Sequence, residues 1–494
     1  MNISKRFFIT IVIVSLLVGA ASTAVTLEML EEDQVVQQDQ DDQQNGSEQE
    51  ENDQDESNQS EESNSDLDVL SYAMNLIESD FVSEVSREEL IEGALEGVVN
   101  KLDDPYSEYM DAEAMGEFQS QIESTFEGIG AEVTKRDDYI TVIAPIKDTP
   151  AENAGIRPND RIIEVDGESL EGYTVYEAVT LIRGEKGTDV TLTIDRPGED
   201  EPFEVVITRD TIPVTTVYSS VEEHDGNNVG VLEIRSFSEK THEEFAEELE
   251  KLENEENIDG LVIDVRGNPG GLLESVRTIL GHFLNEDDPF LQVSSKDQDQ
   301  SPYYLQQSGD KDYPISVLIN EGSASASEIM AAAMKENGGY DVVGQTSFGK
   351  GTVQQTVEVG DGLLKMTVMN WLSPEGNQIN EVGIEPTAKV EQPEYYYVSL
   401  IQTDEPLAYD MNSQEVNKMQ VMLDGLGYEP GRTDGYFDRK TESALESFQQ
   451  DNGLDVTGTL NEQTEDEIEQ QILDLVQDPD SDRQLQRAVE LLFE

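Results

Sequence analysis

The sequence predicts a multidomain α/β protein: a core of buried strands and helices, preceded by a helical segment and a β-rich module and followed by a small helical domain. Three observations predict it. Near-continuous apolar runs at 258–265 and 315–319 each lead through a Gly- or Ser-rich turn into a helical pattern, as buried parallel strands do. Short β-branched runs fill residues 124–210. Apolar residues recur at helical spacing in 67–123 and in 411–472. A chain of 494 residues is too long for one ordinary core, so several modules are expected.

Composition narrows the function classes. There is no cysteine, which removes disulfides, thiolate metal sites and a cysteine nucleophile. The formal charge of -78, from 108 acidic and 30 basic side chains, repels nucleic acid and anionic membrane surfaces, so no nucleic-acid partner is expected. Residues 31–66 hold only 15 of the acids, so the folded surfaces are themselves acidic, as in proteins adapted to high salt.

From the N-terminus, Lys5 and Arg6 precede an apolar run from Phe7 to about Leu27, with Ser22-Thr23-Ala24 as a small-residue cleavage site. Residues 1–27 are expected to be a signal peptide or, if uncleaved, a membrane anchor, which places the remainder outside the cytoplasm, secreted or membrane-anchored and associated with the cell wall. Residues 28–66 are expected to be an acidic disordered linker. In 67–123, Leu67, Leu70, Met74, Ile77, Leu90, Ile91, Leu95 and Val98 give an N-terminal helical segment.

Residues 124–210 contain strand-like runs at 139–144, 161–165, 190–195 and 203–208, with helices expected at 150–153 and 175–182. Before the first run lies Phe126-Glu127-Gly128-Ile129-Gly130-Ala131, and Ala154-Gly155-Ile156 to Ile163 leads into Val165-Asp166-Gly167. This stretch resembles a PDZ domain. The resemblance implies that Gly128, Ile129 and Gly130 bind substrate by turning backbone N–H groups toward a terminal carboxylate, while the peptide adds to the sheet edge. Arg183, a basic residue in an acidic module, is a candidate regulatory residue that contacts the core in one arrangement of the module.

Strand and helix alternate through the core, 211–395. Asp264-Val265-Arg266-Gly267-Asn268-Pro269-Gly270-Gly271 is a strand-to-helix turn with exposed backbone donors, suited to half of an oxyanion hole. It lacks the Lys-Ser/Thr ending of a phosphate loop. The second buried strand runs into Asn320-Glu321-Gly322-Ser323-Ala324-Ser325-Ala326-Ser327-Glu328-Ile329 and an Ala-rich helix to about Glu336. A serine at a helix start has its alkoxide favoured by the helix end and is followed by the Ala326 N–H; three alternating serines exceed what one cap needs.

The three histidines, His224, His242 and His282, have no matching Asp motif, so a Ser-His-Asp triad is unsupported. Lys350, between Gly349 and Gly351, is the better candidate for a base, with a solvated turn lysine as the alternative reading of the same residues. A free lysine, with a pKa of about 10.4, is a competent base in only roughly one molecule in a thousand at neutral pH, so burial must lower it. Gln354 can hold the neutral amine without adding charge.

Asp264–Gly271, Gly322–Ile329 and Phe348–Gln354, in that order, resemble the carboxyl-terminal processing (tail-specific) protease family. The resemblance runs from about 67 to 395 and implies a crotonase-like fold, Ser325 as nucleophile, Lys350 as general base and Gln354 as the residue orienting it. It further implies an oxyanion hole from Ala326 and either Gly270 or Gly271, and peptide hydrolysis through an acyl-enzyme without cofactor. No His-Glu-x-x-His or His/Cys cluster suggests a metal.

Residues 411–472, with Asp434-Gly435-Tyr436-Phe437 and Phe448-Gln449, are similar to small helical peptidoglycan-binding domains, and 473–494 read as an appended amphipathic helix. The partners expected are proteins or peptides with free C-termini and peptidoglycan; a homo-oligomer is compatible with the sequence. The competing function class is a catalytically silent peptide- and wall-binding scaffold; intact Ser325, Lys350 and Gln354 favour the enzyme.

Overall fold

A computed structural model describes residues 55–494 except 137, 138, 198, 200, 201, 298 and 404. The expected signal peptide or anchor and most of the expected linker lie outside the described residues. No helix among the described residues is long and apolar enough to cross a membrane. The chain divides into two compact units, one reaching to Met115 and including Gln354–Thr367, the other holding Gly116–Val353 and Val368–Glu494.

In the first unit, α1 (Asp55–Asp80) begins inside the stretch expected to be a linker and is followed by α2 (Arg87–Asn100). Ser86 starts α2 with a capping box, its hydroxyl accepting from Glu89 N while its own N–H donates to the Glu89 carboxylate. Arg87 ties the two helices by donating to Glu78 and Asn75. The apolar stripe expected to be a core face is largely on the surface: Met74 is buried, but Leu67, Leu70, Ile77 and Val98 are exposed. The strand β1 (Glu108–Met110) pairs with residues 363–365.

The second unit continues from α3 (Ala112–Glu123) into β2 (Thr125–Gly128), β3 (Ala131–Arg136), β4 (Tyr139–Pro145), α4 (Pro150–Asn153), β5 (Arg161–Val165), β6 (Glu168–Ser169), α5 (Val175–Ile182), β7 (Asp189–Asp195), β8 (Phe203–Thr208) and β9 (Asp210–Pro213). Alternation in β7 sends Val190, Leu192 and Ile194 inward and their neighbours outward, as a half-buried strand requires. The sheet order β3-β4-β5-β7-β8 leaves β3 at an edge. Thr174 opens α5 with a second capping box, closed by Glu177.

The core follows: β10 (Val217–His224), β11 (Asn227–Ile234), α6 (Thr241–Lys251), β12 (Gly260–Asp264), α7 (Leu273–Leu280), β13 (Pro289–Ser294), β14 (Gln300–Tyr304), β15 (Ile315–Ile319), α8 (Ala326–Glu336), β16 (Asp341–Gly344), β17 (Thr352–Val359), β18 (Gly362–Leu372) and β19 (Ala388–Lys389). A sheet of order β10-β11-β12-β15-β16-β19 is parallel from β11 onward. Every residue of β12 and β15 is buried, which explains their near-continuous apolar runs. One face of this sheet packs on α6, α7 and α8 through residues such as Leu232, Phe245, Ile263, Ile279 and Met330.

The C-terminal domain contains α9 (Gln414–Gly425), α10 (Arg439–Asp451) and α11 (Glu462–Gln477) around Phe437, Phe448 and Leu460. It holds a repeat. Buried Gln420 accepts from Gly435 N and donates to Tyr436 O and Thr441 Oγ1, and buried Gln449 accepts from Gly458 N and donates to Thr459 O and Thr464 Oγ1. Asp438 and Asn461 cap the helices that follow.

The last helix, α12 (Arg483–Leu492), is more than an appendage. Its Leu485, Ala488, Val489 and Leu492 cover the second face of the core sheet at Val231, Val262, Leu318 and Val343. Each large side chain so buried contributes about 1.5–3 kcal/mol. Asp482, its N-cap, takes Arg266 Nη2 at 2.7 Å while Asp264 takes the same atom at 2.6 Å. Burial raises the Asp482 carboxyl, but the Arg266 guanidinium, joined by the Leu485 N–H and the Gln392 amide, holds it below its ordinary value. Asp482→Asn keeps the cap and loses the charge, and should lower stability by about 1.5–3 kcal/mol at neutral pH in urea unfolding. A depressed folded pKa stabilises above the unfolded value of about 3.9 and ceases to do so as pH falls through the folded value. The gap between wild type and variant should therefore close on acidification; a gap independent of pH would contradict the pairing.

Candidate functional site

Two strand-to-helix turns meet at the C-terminal ends of the adjacent parallel strands β12 and β15. The second turn is built around serines with different fates. Ser323 is fully buried, donates to Val265 O at 2.7 Å and accepts from Asn320 N. Ser327 is fully buried and donates to Asn268 O at 2.9 Å. Ser325, between them, is only half-buried. Of the three alternating serines, two therefore fasten this turn to the segment Asp264–Gly271, and the middle one is accessible.

Ser325 has φ 55° and ψ -112°, a backbone conformation sparsely populated by a residue with a side chain. Its N–H donates to Glu328 Oε2 at 2.8 Å, and its carbonyl accepts from Glu328 N and Ile329 N. Ser325 thus stands at the N-cap of α8, and the Ala326 N–H is the first of that helix.

Asn268, fully buried, shapes the facing turn. Its Nδ2 donates to Ile234 O, its Oδ1 accepts from Gly270 N at 2.8 Å, and its carbonyl accepts from Ala324 N. Gly270 comes so close that a Cβ there would lie 2.8 Å from Ala324 O and Ser325 Cβ and 3.0 Å from Ala326 N. Its φ of 104° adds a second reason for glycine. Gly271 bridges to Phe237, with Phe237 N donating to Gly270 O and Leu272 N to Phe237 O.

The lysine loop joins the same centre through Glu328. Its fully buried carboxylate accepts from Ser347 Oγ (2.6 Å) and Gly349 N (2.7 Å) on Oε1 and from Lys350 N (2.8 Å) on Oε2, the oxygen that also takes Ser325 N. Burial pushes this carboxyl above its usual range, although the hydroxyl of Ser347 and the three backbone donors oppose the shift. Lys350 is half-buried, and its carbonyl accepts from Trp371 Nε1. At Gly351 a Cβ would lie 2.4 Å from Asn380 N, so the close packing of a neighbouring segment demands the glycine beside the lysine. Gln354 lies on β17 and falls in the first unit, where its side-chain amide donates to Thr367 Oγ1.

A separate cavity opens beside the edge strand β3, lined by Ile129, Gly130 and Val133 on one side and Val175, Val179 and Arg183 on the other. Gly128 is paired in β2 with Asp210 and does not line it. The Arg183 guanidinium stacks over the Phe126 ring, 4.9 Å from its centroid, at the same cavity. An edge strand facing a helix across an apolar slot is where an extended peptide adds to a sheet.

Sequence reading missed Glu328, Asn268 and Ser347. Glu328, three residues after Ser325, has the spacing of a capping box, which signals only the nearer half of its role.

An accessible serine at a helix start, faced by a glycine turn and sharing a carboxylate with a lysine loop, puts a candidate nucleophile and a candidate base in one cluster. The chain matches the family model Peptidase family S41 over residues 228–390. It also matches the activating protease CtpB N-terminal domain over 16–114, a PDZ domain over 141–196 and a peptidoglycan binding domain over 412–468. It is 46% identical over 428 residues to the carboxy-terminal processing protease CtpB of Bacillus subtilis (strain 168), spanning 86% of this chain and 89% of that one. Carboxy-terminal processing protease CtpA of the same strain is 39% identical over 429 residues, 87% of this chain and 90% of that one. Among solved structures, the PDZ domain of a carboxy-terminal protease from Vibrio cholerae in complex with peptide is 34% identical, covering 18% of this chain and 99% of that one, with a TM-score of 0.17. The chain belongs to the S41 family of carboxy-terminal processing serine proteases, and carries a PDZ domain and a peptidoglycan-binding domain.

The crowding at Gly270 gives a direct test. Gly270→Ala should reduce proteolysis by about 100-fold or more, because the added methyl crowds Ser325 and the Ala326 N–H and displaces the serine. Wild-type turnover in a folded Gly270→Ala variant would show that this approach is not needed.

Proposed function

We propose that the protein is an extracytoplasmic endopeptidase that uses a Ser325/Lys350 pair to hydrolyse peptide bonds in proteins captured by their C-termini. The observation that carries this reading is the shared carboxylate: Ser325 N and Lys350 N both donate to Glu328 Oε2, which brings the serine and the lysine loop to one point.

In the proposed reaction Ser325 Oγ attacks the scissile carbonyl carbon while Lys350 Nζ accepts its proton. The oxyanion lies at the start of α8, held by the Ala326 N–H and by a glycine of the facing turn. Gly270 N is already donated to Asn268 Oδ1, which favours Gly271 as that glycine. Collapse breaks the C–N bond, and the lysine returns the proton to the leaving amine. Water then attacks the ester, losing its proton to Lys350, and Ser325 leaves protonated as the new carboxyl terminus is released. Gln354, four residues after Lys350, is assigned the orienting role on its motif position alone. No step calls for a cofactor.

The β3–α5 slot takes the substrate tail, with the Ile129 and Gly130 backbone toward its carboxylate. Arg183, exposed at the slot's mouth, supplies positive charge there and is the residue through which an occupied slot signals to the core. Export through the 1–27 segment would bring the C-terminal domain to peptidoglycan.

One set of assays tests the assignment, using an unstructured protein substrate with a free or amidated C-terminus. Ser325→Ala and Lys350→Ala should each abolish cleavage with little change in thermal unfolding. Wild type should prefer the free acid, and Arg183→Ala should shrink that preference. Near-wild-type activity in either catalytic variant sinks the pair, and equal cleavage of acid and amide by wild type sinks the tail-reading role.

A further inference from the structure

We infer that Glu328 is the positioning residue of the active centre: its carboxylate clamps the Ser325 turn and the Lys350 loop into one reactive geometry. The inference rests on the Ser325/Lys350 reading and extends it to a residue that does not itself touch substrate.

A capping box needs its carboxylate for a single donor, the N–H of the cap residue. Glu328 makes that bond to Ser325 N, and then accepts three more donors from a loop 19 to 22 residues onward: Ser347 Oγ, Gly349 N and Lys350 N. The four donors divide evenly over its two oxygens, and the side chain is wholly inaccessible to solvent. Helix stability does not require this arrangement. It ties together two segments at their reactive residues, one of them holding Ser325 in a strained backbone conformation.

The remaining bonds of the lysine loop follow the same plan. Ser347 Oγ also accepts from Ile384 N, and Phe348 N donates to Ser323 O, so the loop is anchored on either side of the clamp. Glu328 reaches both Ser325 and Lys350 through one oxygen. A glutamine cannot replace it: one amide oxygen would have to serve donors now shared by two, and the amide N–H groups would face N–H groups.

A catalytic pair is sensitive to placement, with a 1 Å error costing about 100-fold. Glu328→Gln should therefore lower kcat, and the second-order rate of Ser325 modification by a fluorophosphonate, by about 100-fold, while KM moves less than about 2-fold. The inactivation rate constant does not depend on what fraction of the preparation is folded. Ser347→Ala removes one donor from the loop side without touching the serine turn and should lower the same constant by about 10-fold. Glu328→Asp, which keeps the charge but draws the carboxylate back by a methylene, should behave like the glutamine variant.

If Glu328→Gln lowers thermal stability yet reacts within about 3-fold of wild type, or raises KM with kcat unchanged, the residue is a cap and the inference is overturned. If Glu328→Gln yields no folded chain, an unaltered rate constant in Ser347→Ala overturns it. Labelling that persists in Ser325→Ala defeats the nucleophile assignment instead, so the two failures are distinguishable.

Discussion

The centre depends on one backbone approach: Gly270 passes Ser325 so closely that any side chain at 270 would fill the space before the serine. Parallel pairing of β12 and β15 puts both turns at the same end of the sheet, where α/β proteins generally assemble their sites. Pairing alone does not bring the turns into contact. Bonds across the turns do that: the buried hydroxyls of Ser323 and Ser327 donate to Val265 O and Asn268 O, and the Asn268 carbonyl also accepts from Ala324 N. The strained conformation of Ser325 persists because its surroundings over-determine it.

The same logic extends outward. Arg266 leaves the β12 turn in the opposite direction and is held by Asp264 and Asp482, so the turn beside the serine is tied to the last helix of the chain. That helix seals the second face of the core sheet after the chain has built the C-terminal domain. A domain inserted between two segments of the core is anchored at both ends. The PDZ domain precedes the core in the same unit, and its slot opens along the β3 edge.

Much of this was legible in the sequence because it is encoded locally. Buried strands at 258–265 and 315–319 are apolar without alternation, and the turns after them carry the Gly and Ser that tight backbone requires. The Ala-rich helix ends at Glu336 as its pattern indicates. Other features depend on distant partners. Glu328 looks like an ordinary first-turn glutamate until the loop at 347–350 folds onto it. The amphipathic stripe of 483–492 is plain, but nothing local says that it covers Val262 and Val343. The stacking of Arg183 on Phe126 joins residues far apart in the sequence. In 67–123, periodicity indicated helix correctly, yet Ser86 restarts it as a second helix and most of the apolar stripe remains exposed. A moderate capping signal inside a continuous pattern is easily read through.

The central claim is that Ser325, alone among the three alternating serines, forms an ester with the substrate. The most direct measurement is tandem mass spectrometry of the enzyme acid-quenched during turnover of an unstructured protein substrate. The account predicts a substrate-derived acyl mass on Ser325. The same mass on Ser323 or Ser327, or turnover with no acylated serine under conditions that preserve a synthetic serine ester, would contradict it.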